Sequence, residues 1–178
     1  DPEVGGERII GEACHFIDLL GFLIGSSPVS VTTLGLQAES GVISDEVVIT
    51  LTYTDGSIGT VIYAAGGDKA YAKERIEVIG DGRIAVMDDY RELELVQNGK
   101  CNRKKDRLRP SKGHQQEWET LVQATRNGQS TPITIEEIVV SHLATFAAVD
   151  SLRQATPVTL DIAGFWETVN QHDNNQED

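Results

Sequence analysis

Glu12 and His15 stand three residues apart in GEACHFIDLL, residues 11–20. On an α-helix that spacing makes them neighbours on one face, and Asp18 or Leu19 continues the strip. A carboxylate one turn from an imidazole holds the ring in one tautomer and raises its basicity. A general acid or base working near neutral pH requires that orientation. The same residues have a plainer use. A glutamate in a first helical turn offsets the helix dipole, and Asp18 can face water or cap a loop. Spacing alone leaves both open.

The remaining candidates are more scattered. Arg8, ahead of this helix, and Lys112 and His114, ahead of a later one, are placed to meet a phosphate or carboxylate on a ligand, or simply to face solvent. His142 falls on the apolar side of a long helix, where a hydrogen-bonded core imidazole is the expectation, and His172 belongs to a polar tail. No third ligand lies at a metal-motif spacing, so no metal site is expected. GxGxxG, a phosphate loop, GxSxG and HExxH are all missing from the sequence. Neither a nucleotide cradle nor a hydrolytic motif is therefore complete, and an enzyme built on this chain would hold its cofactor elsewhere.

These groups depend on the elements that carry them. Ala13, Phe16, Ile17, Leu20, Leu23 and Ile24 recur at helical spacing, which predicts a helix from Gly11 to about Gly25, with Pro28 shortly beyond. From Val29 to about Leu108 the period is two. VSVTTLGLQ, DEVVITLTYTDG, SIGTVIYAA, AKERIEVIGDG, RIAVMDD and ELELVQNG are β-branched runs, and Asp55-Gly56, Asp81-Gly82 and Asn98-Gly99 favour the turns of an antiparallel meander. Helical period returns in KGHQQEWETLVQATRNG, closed by Asn127-Gly128. It continues in TIEEIVVSHLATFAAVDSLRQ, where Thr134 and Glu137 form a capping-box pair and Ile138, Val139, Leu143, Phe146 and Val149 an apolar stripe.

The fold class is α+β: a mostly antiparallel open sheet of about six or more strands with helices on one face. The outward positions of VVITLTY and GTVIYA are small or apolar, so the other face is expected to make a homodimer or tetramer. One domain is expected over residues 1–165, followed by a disordered polar tail, 166–178.

Composition narrows the partners. Of 178 residues 28 are acidic and 15 basic, a formal charge of -13 that repels nucleic acid and anionic membranes. The basic run KCNRKKDRLRPSK, residues 100–112, reads either as a solvated hairpin or loop or as a site for an anionic ligand. Cys14 and Cys101 match no zinc or redox spacing and suggest a reducing, cytoplasmic compartment. No apolar run approaches the roughly 20 residues of a membrane span, and no signal peptide is read. The chain begins at Asp1 without a methionine, which suggests a piece of something longer.

GGERIIGEACHFIDLL (5–20), AKERIEVIGDGRIAVMDDYRELEL (72–95) and KGHQQEWETLVQATRNGQSTPITIEEIVVSHLATFAAVDSL (112–152), taken in register, resemble the C-terminal domain of the Gfo/Idh/MocA oxidoreductases. The likeness runs from Gly5 to about Leu160. It implies an α+β domain that supplies the substrate pocket and the oligomer interface. An N-terminal Rossmann domain, absent from this chain, would bind NAD or NADP. By itself the chain is then expected to be inactive and to bind no nicotinamide.

By the same resemblance His15 takes the place of the family's histidine, which handles the proton together with a lysine from the Rossmann domain's Glu-Lys-Pro segment. Many members carry an aspartate four residues earlier; here that residue is Gly11, and Glu12 is the nearby carboxylate. GEACHFID with KERIEVIGDGR looks most like a subgroup in which a zinc-type alcohol dehydrogenase region lies upstream. The implied function is oxidoreduction of a sugar, cyclitol or nucleotide-sugar hydroxyl. The alternatives are a non-catalytic ligand-binding or scaffold module of the same fold and an NAD-assisted glycoside hydrolase or lyase.

Overall fold

The computed structural model describes residues 8–37, 43–105 and 112–174. In chain order the elements are a wide helical turn at Ile9–Ala13, helix α1 (Cys14–Ile24), strands β1 (Pro28–Gln37), β2 (Ile43–Tyr53), β3 (Ile58–Tyr63), β4 (Arg75–Gly80), β5 (Arg83–Asp88), β6 (Glu92–Gln97) and β7 (Lys100–Lys105), helices α2 (His114–Arg126) and α3 (Ile135–Gln154), strand β8 (Val158–Thr159) and helix α4 (Ile162–Asn174). The class is α+β, and the strands form two four-stranded antiparallel sheets, β3-β2-β1-β8 and β4-β5-β6-β7. Packing separates two compact units, Asp1–Gly66 with Ile133–Asp178, and Gly67–Pro132. Length suggests one domain over 1–165; two units arise because the β4–β7 ladder pairs only within itself.

In the first unit the alternation of β1, β2 and β3 sends one set of side chains under the helices. Val31 pairs with Leu51 and Leu51 with Gly59; Thr33 pairs with Ile49 and Ile49 with Val61. Val31, Ile49 and Leu51 are fully buried with Ala13, Ile17, Ala147, Ala148 and Val149. Each large aliphatic side chain so buried stabilises the fold by about 1.5–3 kcal/mol relative to leaving it exposed. Two glycines seat the helices. A Cβ on Gly59 of β3 would come 2.8 Å from Leu20 Cδ1 of α1, and one on Gly35 of β1 would come 3.0 Å from Leu152 Cδ1 of α3. Ser151, wholly buried, accepts from Thr33 N (2.9 Å) and donates to Thr156 O (2.7 Å), tying the end of α3 to β1.

The opposite face of this sheet carries a cross-strand row of apolar side chains, Leu34, Val48 and Ile62, exposed by 67, 38 and 76%. Beside it lie hydroxyl pairs, Ser30 with Thr52 at 2.7 Å and Thr50 with Thr60 at 3.4 Å.

Helix α3 begins with the expected capping box: Thr134 accepts from Glu137 N, while the Glu137 carboxylate accepts from Thr134 N at 2.7 Å. Its core-facing residues are Ala144, Thr145, Ala147, Ala148, Val149 and Ser151, whereas Phe146 is half exposed. Small residues let α3 lie close to the sheet, so the stripe of larger side chains is only partly the buried one. The tail is a correction. Residues 166–174 are helical rather than disordered, because Asp161 caps α4 through Gly164 N (2.9 Å) and Phe165 packs edge-on against Trp166 with ring centres 5.4 Å apart. The rest of that tail lies outside the described residues.

In the second unit β4 to β7 form a meander. Asp81-Gly82 and Asn98-Gly99 make its left-handed turns, with φ of 48° and 68°, and of 52° and 68°. The β5–β6 turn uses Asp89-Tyr90, also left-handed at 49° and 54°, which the sequence does not announce. Lys100–Lys105 is a strand, completing a hairpin with β6. Arg103 meets Glu94 at 2.6 Å and Lys105 meets Glu92 at 2.9 Å, so these two charges of the basic run are neutralised across the strands. Arg103 holds the Glu94 carboxyl below its ordinary value, chiefly by hydrogen bonding. Residues 106–111 of that run lie outside the described residues.

Candidate functional site

The first helix does not begin as an α-helix. Across Ile9–Ala13 it takes a π-turn, in which Cys14 N–H reaches back to Ile9 O. A π-turn holds one residue more than an α-turn and changes the angular relation of the side chains on either side. Ile9, Ala13 and Ile17 still face the core, while His15 and Asp18 on α1 are exposed.

Glu12, inside the π-turn, meets a different partner from the one its spacing predicts. Tyr63, the last residue of β3, donates its hydroxyl to Glu12 Oε2 at 2.8 Å. Arg8 Nη1 lies 3.5 Å from Glu12 Oε1 and 3.4 Å from the Tyr63 hydroxyl. The Arg8 and Glu12 side chains are each 48% exposed. Burial pushes the Tyr63 phenol up, the Arg8 hydrogen bond draws it down, and the Glu12 carboxylate pushes it up. Among the described residues no hydrogen bond or ion pair joins Glu12 to His15. The expectation that Glu12 orients the imidazole by direct contact is corrected: the carboxylate is engaged by the Tyr63 hydroxyl at the end of β3 instead.

The structure thus brings together Arg8, Glu12 and Tyr63, with His15 exposed one turn further along. Sequence reading missed Tyr63. Its position at the end of a strand whose inward residues pack under α1 was a usable signal, since Gly59, Val61 and Tyr63 share that side.

Lys112 and His114 belong to the second unit. Lys112 Nζ contacts Glu74 Oε1 at 2.9 Å and sits 5.0 Å from the centre of the Tyr90 ring. Glu74 is buried, so its carboxylate engages the ammonium that was expected to meet a ligand anion. The Glu74 hydrogen bond raises the Lys112 pKa. His114 opens α2 on the surface, with Nδ1 3.9 Å from Glu117 Oε2. His142 is a further correction. It is exposed rather than in the core, its Nδ1 is 2.7 Å from Ile138 O, and its ring meets Phe146 edge-on at 6.3 Å between centres.

Among the described residues no group of three or more His, Cys, Asp or Glu is placed to hold a metal ion. No helix among them is long and apolar enough to cross a membrane. A nicotinamide dinucleotide needs N–H groups free at a strand-to-helix turn. At the passage from β8 to α4 the Asp161 carboxylate already occupies the Gly164 N–H, and its charge opposes a pyrophosphate. That junction does not fit the cofactor.

A family model described as the GFO/IDH/MocA C-terminal domain matches residues 1–85. No curated protein matches the chain. Among solved structures the chain is similar to an aldose-aldose oxidoreductase from Caulobacter crescentus complexed with glycerol, at TM-score 0.75 and 15% identity, covering 90% of this chain and 50% of that one. It is also similar to an oxidoreductase from Agrobacterium radiobacter in complex with NAD+, L-tartaric acid and magnesium, at TM-score 0.67 and 16% identity, covering 86% and 48%. A myo-inositol dehydrogenase from Corynebacterium glutamicum ATCC 13032 follows at TM-score 0.59 and 16% identity, covering 89% and 50%. The chain therefore spans about half the length of the solved proteins whose fold it shares.

Proposed function

We propose that this chain is the C-terminal, substrate-binding half of a Gfo/Idh/MocA oxidoreductase that acts on a hydroxyl of a sugar, cyclitol or nucleotide-sugar. One observation carries the reading. The family match over residues 1–85 falls on the π-turn, α1 and β1–β3, the segments that hold Arg8, Glu12, His15 and Tyr63.

Oxidising a carbon that bears a hydroxyl requires the hydroxyl proton to leave as the electrons do. His15, on the open side of α1, takes that proton in one direction and returns it in the other. Arg8 and Glu12 offer a donor and an acceptor to neighbouring hydroxyls of the same substrate. The electron acceptor in this reading is NAD or NADP, and none of the described residues is assigned to it. Its site belongs to the remainder of the enzyme.

The exposed Leu34, Val48 and Ile62 row supports a second part of the proposal, a homodimer or tetramer formed through this sheet face. Free thiols at Cys14 and Cys101 fit a cytoplasmic setting. GEACHFID and KERIEVIGDGR support placement in the subgroup with a zinc-type alcohol dehydrogenase region upstream. A non-catalytic binding module of the same fold is the second reading, favoured by Glu12 bonding to Tyr63 instead of His15.

The test is turnover by the full-length protein on a panel of myo-inositol, aldoses and glycerol with NAD+ and NADP+. Polyol-dependent reduction of either cofactor is expected; none with any member would favour the binding module.

A further inference from the structure

Tyr63 makes the shortest polar contact at the candidate site. Its hydroxyl donates to a carboxylate, and a hydrogen bond to an ionised acceptor is stronger and more directional than one between neutral groups. The bond spans 51 residues of sequence and joins the end of β3 to the turn that precedes α1. Glu12 is half exposed, so without this anchor its side chain would sample several rotamers in water. The Arg8–Glu12 contact, at 3.5 Å, is too long to fix the carboxylate by itself.

Glu12 lies within the π-turn, Ile9–Ala13, and its side-chain partners among the described residues are Tyr63 and Arg8. Tyr63 is itself fixed, because Val47 faces it across the ladder and Val61, two residues back on the same side, lies in the core.

We propose that Tyr63 is a positioning residue, whose hydroxyl fixes the Glu12 carboxylate as a substrate-facing acceptor near His15. This rests on the reading of the chain as the substrate half of an oxidoreductase. Removal of the hydroxyl should loosen substrate binding and leave the proton-transfer group in place.

The experiment compares wild type, Tyr63→Phe, Glu12→Ala, the double variant and His15→Ala in the full-length protein. It uses the myo-inositol or aldose that the protein oxidises fastest. Tyr63→Phe should raise KM about tenfold and change kcat less than about threefold, at an unchanged melting temperature. The double variant should be no worse than Glu12→Ala alone, since both changes remove the same positioned carboxylate. Wild-type KM in Tyr63→Phe, multiplied effects in the double variant, or a loss accompanied by a lowered melting temperature with KM unchanged would each overturn the inference. His15→Ala separates the two claims. If it turns over like wild type, the proton-handling role of His15 falls, while the KM of Tyr63→Phe still decides the inference; if it is inactive while Tyr63→Phe is normal, only the inference falls. A full-length protein that reduces neither NAD+ nor NADP+ with any polyol overturns the oxidoreductase reading, and the inference with it.

Discussion

Leu20 of α1 lies directly over Gly59 of β3, so close that a Cβ at Gly59 would stand 2.8, 3.0 and 3.3 Å from three Leu20 carbons. This contact sets how near α1 comes to the sheet, and hence where the π-turn, Glu12 and His15 sit relative to the end of β3.

Gly59→Val should therefore destabilise the protein by about 1–3 kcal/mol, because the helix must lift or the side chains must leave their rotamers. Gly21→Ala is the opposite case. Gly21 is inside α1, and a Cβ added there would have nothing within 4 Å, so alanine should stabilise by about 0.5–1 kcal/mol through helix propensity. Denaturant unfolding of both variants measures the contrast. Equal effects would show that the close seat is not what holds the helix.

Lys112 and Glu74 make stability in the second unit depend on pH. Glu74 holds the folded-state pKa of Lys112 above the ordinary lysine value of 10.5. The contribution is thus complete below that value and is lost as pH rises through the folded one. Lys112→Met leaves the buried carboxylate without its 2.9 Å partner and should cost about 1–2 kcal/mol near neutral pH. The difference from wild type should shrink in the alkaline range, which unfolding followed across that range would detect.

Ile62 is 76% exposed on the edge strand β3, at the end of the apolar cross-strand row. A lysine there would bury a charge in any pairing of two such faces. Ile62→Lys should convert the proposed dimer or tetramer into monomer by light scattering without lowering the melting temperature of the monomer. A wild-type monomer, or an unchanged oligomer in the variant, would refute the sheet-face interface.

Much of this architecture was legible in the chain. Period-two runs and Asp-Gly or Asn-Gly pairs marked β1 to β6, and Thr134 with Glu137 marked the start of α3, because local chemistry decides those features. Strand β7 was legible only as one of the readings of the basic run, a solvated hairpin, because KCNRKK has no apolar alternation and is held by Glu92 and Glu94 on its neighbour. Helix α4 was hidden by its polar end. At the site, His15 and Glu12 were visible as residue types, but their relation was not. Helical spacing predicts a contact between the two, but the carboxylate bonds to Tyr63, and the π-turn that holds Glu12 has no signature in IIGEA. For Tyr63 the sequence offered only its place on the inward side of β3; its contact with Glu12 is made by the tertiary packing of α1 on β3.

The central claim is that His15 is the proton-handling group of a polyol oxidoreductase, and kcat of His15→Ala in the full-length protein tests it most directly. A fall of about 10²–10⁴-fold is expected, with a folded, oligomeric protein. Turnover within a few-fold of wild type would contradict it.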